Sequence, residues 1–246
     1  MLFRSKIILS SFASLLFLSQ ASNAEIKIGK GSLTFNAGIA SQYIARGVDQ
    51  NKDAPSPFVG ADFTHPFLND SNIYIGFWTS ASDFNSGAGG QERDYYFGVN
   101  KSFGITTLDL GYIIYNYPGL DASAKASNNA EYYAKLTIAP EKQPYTFGLA
   151  YYQDDTGGVK ATNGNKADRN YYEVNATYDF GPVQSLISYG VFDNDTNITT
   201  VSLSKELAGV GFTLSYINAQ QENSTNTGSQ LNKDRDYVTL SAKKTF

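Results

Sequence analysis

Tyr237-Val238-Thr239-Leu240-Ser241-Ala242-Lys243-Lys244-Thr245-Phe246 changes character residue by residue. In an extended chain successive side chains point to opposite faces, so Val238, Leu240, Ala242 and Phe246 share one side and Tyr237, Thr239, Ser241, Lys243 and Thr245 the other. Lys244 breaks the apolar side, close enough to the strand end for its ammonium to reach an interface at modest cost. In a bilayer every backbone N–H and C=O must be bonded within the protein, so a sheet spans only if its last strand meets its first. The segment reads as that closing strand, with Phe246 as its closure residue and Leu33 to Ala45 as its partner. It is also the part expected to engage the barrel-assembly machinery.

Composition agrees. Tyr 18 and Phe 16 against Trp 1 make the chain 14% aromatic, yet the mean hydropathy is -0.31. Rings and polar residues interleaved at period two give both values at once. Residues 1–24 carry Arg4 and Lys6, an apolar run from Ile7 to Leu18, and Ser22-Asn23-Ala24 before Glu25, which is the layout of a cleaved secretory signal peptide. The run is shorter than the about 20 residues a spanning helix needs, and no later stretch reaches that length. The mature chain, 25–246, is therefore expected to meet a membrane as strands. The formal net charge of -4 becomes more negative once Arg4 and Lys6 are removed, which argues against nucleic acid as a partner. Cys 0 leaves no disulfide or thiolate site, and no cofactor is expected.

Alternating segments recur along the mature chain. The first runs Leu33 to Ala45, with Tyr43 on its apolar side and Arg46 continuing its polar side. Others start near Phe58, Ile73, Asp94, Thr107, Glu131, Tyr145, Tyr171, Val183, Ile198 and Val210, before the closing strand. The fold class is thus all-β, a transmembrane antiparallel outer-membrane barrel of about twelve strands. Polar connectors such as 47 to 57, 117 to 130, 154 to 169 and 220 to 234 are long, while those near 104, 140 to 144, 181 to 182 and 205 to 209 are short. That two-sided asymmetry matches extracellular loops and periplasmic turns.

A soluble barrel would show the same alternation with its apolar face turned inward. The charges decide against it. Asp62, Asp109, Glu131, Lys135 and Glu173 fall on the non-apolar face well inside strands, and each unpaired ion in a dry core would cost several kcal/mol. A wet lumen accepts them. Tyr43, Tyr95, Phe103, Tyr145, Tyr151, Tyr178 and Phe246 near strand ends fit two interfacial girdles against outer-membrane lipid.

Catalytic and metal chemistry find little support. His65 is the one histidine, set in His65-Pro66-Phe67 with no serine or carboxylate motif beside it. Asp49-Gln50-Asn51-Lys52-Asp53 and Asp193-Asn194-Asp195 offer oxygen ligands, without the Gly and terminal Glu of an EF-hand, and read as turn chemistry. Arg46 is paired on paper with Asp62, across the first hairpin.

Ser41-Gln42-Tyr43-Ile44-Ala45-Arg46-Gly47-Val48-Asp49-Gln50, Ile73-Tyr74-Ile75-Gly76-Phe77-Trp78-Thr79-Ser80, and Leu108-Asp109-Leu110-Gly111-Tyr112 with Tyr115-Asn116-Tyr117-Pro118-Gly119 resemble the TorF family of porin-like proteins, the proteobacterial family also described as Gcw_chp. The resemblance implies an exported outer-membrane barrel over the whole mature chain and brings no catalytic residues with it. The expected function is a non-enzymatic channel for passive diffusion of small hydrophilic solutes, with Arg46, Asp62, Asp109, Glu131, Lys135 and Glu173 setting a weak cation preference. The alternative is a non-conducting barrel whose long loops form an interaction surface.

Overall fold

The computed structural model describes residues 25–83, 90–118, 128–155, 159–160, 166–167, 170–193, 196–221 and 234–246. Residues 1–24, expected to be a signal peptide, the Asn194-Asp195 pair and most of the longer connectors lie outside them. Twelve strands close an antiparallel barrel in chain order: β1 Gly31–Ala40, β2 Ser56–Leu68, β3 Ser71–Ser82, β4 Gly90–Phe103, β5 Thr106–Asn116, β6 Asn128–Ile138, β7 Tyr145–Asp154, β8 Tyr171–Asp179, β9 Gln184–Phe192, β10 Thr196–Leu207, β11 Val210–Gln221 and β12 Arg235–Thr245. Short connectors such as Gly104-Ile105 and Ala208-Gly209 gather at one end with the start of β1 and the end of β12, and the long connectors gather at the other.

Closure happens where the closing segment placed it. Asn36 to Ala40 pair with Thr245 to Ser241, and beyond them Phe35 and Phe246 exchange backbone hydrogen bonds of 3.1 and 2.7 Å. Past Phe246 the edge of β1 would be bare, and unpaired edge amides invite other strands. A short strand, Ile26–Ile28, covers it by pairing with Gly31 to Leu33.

The apolar side of each strand faces out. Ile75, Phe97, Leu149, Val174, Ile187, Leu203, Leu214, Val238 and Leu240 are all exposed around the wall, a surface suited to lipid tails. Phe67, Leu68, Phe103, Phe180, Leu207 and Phe246 add exposed apolar side chains near the short-turn end. Lys244 stays on this face with its ammonium 5.3 Å from the Phe246 ring. His65 lies beside Phe63, ring centroids 6.3 Å apart.

Inside, tyrosines lie flat on glycines. A Cβ built on Gly76 would meet the Tyr96 ring at 2.1 Å and one on Gly111 the Tyr133 ring at 2.3 Å, in directly opposed positions Gly76↔Tyr96 and Gly111↔Tyr133. Only a residue without a side chain lets a neighbouring ring press against the wall in this way. In β3 this settles which face points outward: Ile73 and Ile75 do, while Trp78 is buried inside.

Three expectations need correction. β1 ends at Ala40 rather than Ala45. Tyr43 is no girdle residue but is 5% exposed within the interior cluster. The polar connector expected at 47 to 57 spans 41 to 55, since β2 begins at Ser56 and runs on through Pro66 to Leu68.

Candidate functional site: a loop across the lumen

β1 leaves the wall at Ser41, whose N–H donates to Leu240 O (2.8 Å) and whose Oγ accepts from Leu240 N (2.9 Å). From there Tyr43 to Asn51 turn inward, and Lys52 to Pro55 return along an exposed path to β2. A miniature hairpin, Ile44–Ala45 against Val48–Asp49, forms the tip. Its two central residues, Arg46 (φ 45) and Gly47 (φ 75), are both left-handed, as a two-residue type I′ turn requires. A Cβ on Gly47 would come within 2.6 Å of Ala219 Cβ and 3.1 Å of Ile198 Cγ1. The tip therefore presses on β11 and β10, the second and third strands from β1 on the closure side.

The loop is held along its length. The Asp49 carboxylate accepts from Asn51 N (2.8 Å) and Asp53 N (2.6 Å), so this stretch is the turn its sequence suggested. Gln50 O accepts from Asp83 N (2.8 Å) and Ser82 Oγ (3.1 Å). Tyr43 packs edge-on against Trp78 at 5.3 Å and donates to Glu92 Oε1 (3.1 Å). Trp78 in turn stacks on Phe58 at 6.0 Å.

Arg46 is the centre of the arrangement. Its Nη1 and Nη2 donate to the two oxygens of Glu131 at 2.6 and 2.8 Å, with the side chains only 12% and 11% exposed. The guanidinium carbon stands 4.3 Å from the Tyr152 ring, 4.7 Å from Tyr171 and 5.9 Å from Phe192. Tyr115 Oη donates to Glu131 from the other side (3.0 Å). Burial works against the guanidinium's charge, and the adjacent carboxylate outweighs it, so Arg46 holds its proton more firmly than in water. A forked pair to a carboxylate flanked by ring faces is the strongest geometry open to an arginine.

Toward the short-turn end lie the remaining sequence-identified charges. Asp109 sits opposite Lys135 across β5 and β6 and accepts from Tyr74 Oη (2.6 Å). The Lys135 ammonium stands 4.4 Å from the Tyr133 ring, and Tyr171 Oη donates to Glu173 (2.9 Å). Asp62 accepts from Tyr96, not from Arg46, so the expected Arg46–Asp62 pair is replaced by Arg46–Glu131. The error lay in extending β1 to Arg46, which put that residue beside β2 when the loop carries it to β6.

Sequence reading did not single out Glu92, Asp94, Tyr152 or Trp78 for this site. Asp94 is 0% exposed, beside Glu92, which is 2% exposed and accepts from Tyr43. β9 to β12 present a contrasting wall of small hydroxyls, where Ser202 and Ser215 Oγ are 2.8 Å apart, as are Ser204 Oγ and Thr213 Oγ1. The arrangement narrows the barrel and gathers acidic side chains on β2, β4, β5, β6 and β8, while β9 to β12 carry small hydroxyls with Lys243 among them.

Comparison with solved structures finds barrels of the same fold. The KdgM porin superimposes with a TM-score of 0.53 at 10% identity, covering 87% of this chain and 99% of that one. The COG4313 outer membrane channel from Pseudomonas putida F1 gives 0.51 at 11% identity, covering 92% and 99%. No curated protein matches the sequence. Residues 27–246 match the model of a family described as "Bacterial protein of unknown function (Gcw_chp)".

Proposed function

Proceeding from the chain's membership of the Gcw_chp family, we propose that it is an outer-membrane channel for passive diffusion of small hydrophilic solutes, narrowed by its own first loop. One observation carries the reading. Within the first loop, Tyr43 to Asn51 fold into a lumen lined by Asp62, Asp109, Glu131, Lys135 and Glu173, while the apolar side chains face out. Porin-like neighbours support a channel-type barrel, and barrels near twelve strands fall between those filled by side chains and those with wide aqueous pores. Export by the N-terminal segment and assembly through the strand ending at Phe246 belong to the same proposal.

Selectivity follows from the inward charges. Asp62, Asp109, Glu131 and Glu173 outnumber Arg46, Lys135 and Lys243, so cations are favoured over anions. The KdgM porin was solved with oligogalacturonate, an acidic sugar; the charge balance here points to solutes of the other sign. The packed loop also supports a second reading, a non-conducting barrel that offers its long loops to a partner. Planar-bilayer recording of refolded protein separates the two, because step currents belong only to the first.

A further inference from the structure

We infer that the cage occupied by Arg46 is a recognition site for guanidinium-bearing solutes, and that Arg46 is its built-in occupant. This rests on the channel reading, since the lumen is how such a solute reaches the cage. The parts of the cage are supplied by the wall and not by the loop: Glu131 from β6, Tyr115 from β5, Tyr152 from β7, Tyr171 from β8 and Phe192 from β9. Only the guanidinium comes from the loop. If that group withdraws, a forked carboxylate already oriented by Tyr115 Oη (3.0 Å) and faced by three rings remains in place.

The chemistry selects the ligand. Two parallel N–H···O bonds of 2.6 and 2.8 Å need a planar donor pair, which a guanidinium offers and an ammonium does not. Ring faces 4.3 and 4.7 Å from the guanidinium carbon add attraction for a flat cation. The loop that delivers Arg46 adopts left-handed backbone at a non-glycine residue to do so, a conformation L side chains disfavour. An arriving guanidinium thus competes with an occupant held under strain, and takes its place by exchanging equivalent contacts. Displacement frees the hairpin tip and widens the passage, so the solute opens its own path.

Methylguanidinium chloride is the probe, titrated against equal concentrations of sodium chloride, with direct binding by calorimetry and the emission of the single tryptophan as readouts. Trp78 touches Tyr43 of the loop and reports its position without any current. Because an internal competitor reduces apparent affinity by the fraction of time the cage is free, Arg46→Ala is expected to bind the probe roughly tenfold or more tighter than wild type. Adding Glu131→Gln to Arg46→Ala is expected to abolish that gain. The inference is overturned if Arg46→Ala binds no tighter than wild type, or if the Glu131→Gln change leaves binding intact. Should Arg46→Ala fail to fold, the wild-type titration decides: a saturable change in Trp78 emission with methylguanidinium and not with sodium supports it, and no change overturns it. Absent conductance would remove the channel and leave these results standing, whereas failed binding would remove the cage and leave the channel.

Discussion

Arg46 and Glu131, 85 residues apart in sequence, meet inside the barrel through two hydrogen bonds of 2.6 and 2.8 Å. One comes from a loop that has left the wall, the other from the wall itself, so the pair fixes where the loop lies. Removing one partner of such a buried pair costs about 3–5 kcal/mol, enough to loosen the hairpin tip while Tyr43 and Gln50 still hold the loop at its flanks. Arg46→Ala and Glu131→Gln are each expected to raise single-channel conductance. Arg46→Lys, which keeps charge and loses the fork, is expected to fall between them and wild type.

Gly47 answers for the loop's other contact. It combines φ 75 with an approach that would put a Cβ 2.6 Å from Ala219. Gly47→Ala is therefore expected to lift the tip off β10 and β11, loosen Tyr43 from Trp78, and shift tryptophan emission to the red. An unshifted spectrum would show that the tip does not bear on that wall.

Gly111 holds Tyr133 flat, with a built Cβ 2.3 Å from the ring. Gly111→Ala is expected to push the ring toward the axis, breaking its contact with Tyr74 Oη (2.5 Å). Conductance should fall while the refolded barrel keeps its closed sheet by far-ultraviolet dichroism.

Leu214 and Leu240 face each other on the outward side of β11 and β12, each about half exposed. If lipid covers that face, Leu214→Arg costs about 2–4 kcal/mol of folding stability in vesicles when near the midplane. Urea titration of refolding measures it. A neutral effect would mean that the face does not meet lipid tails.

The barrel was legible in the sequence because period-two alternation is a local signal, and Val238, Leu240 and Ala242 show it as plainly in letters as in space. The inward loop was not, because Tyr43 and Ala45 prolong the alternation of β1 past the point where the chain leaves the wall. Periodicity says which residues share a face while the strand lasts and is silent on where it stops. One cue was available: Ala45-Arg46-Gly47-Val48 places a glycine in a two-residue turn between small apolar residues, a hairpin signature inside what read as an open loop. The Arg46–Asp62 pairing failed for the same reason. Asp109 and Lys135 sit on neighbouring strands, and their direct opposition was set by a register that the sequence does not encode residue by residue.

The central claim is that a loop-narrowed aqueous path runs through this barrel, and the most direct measurement is planar-bilayer recording of refolded wild type and Arg46→Ala under a salt gradient. Discrete step currents with a cation-selective reversal potential, larger in Arg46→Ala than in wild type, are expected. Properly inserted protein that passes no current in either form, or that selects anions, would contradict it.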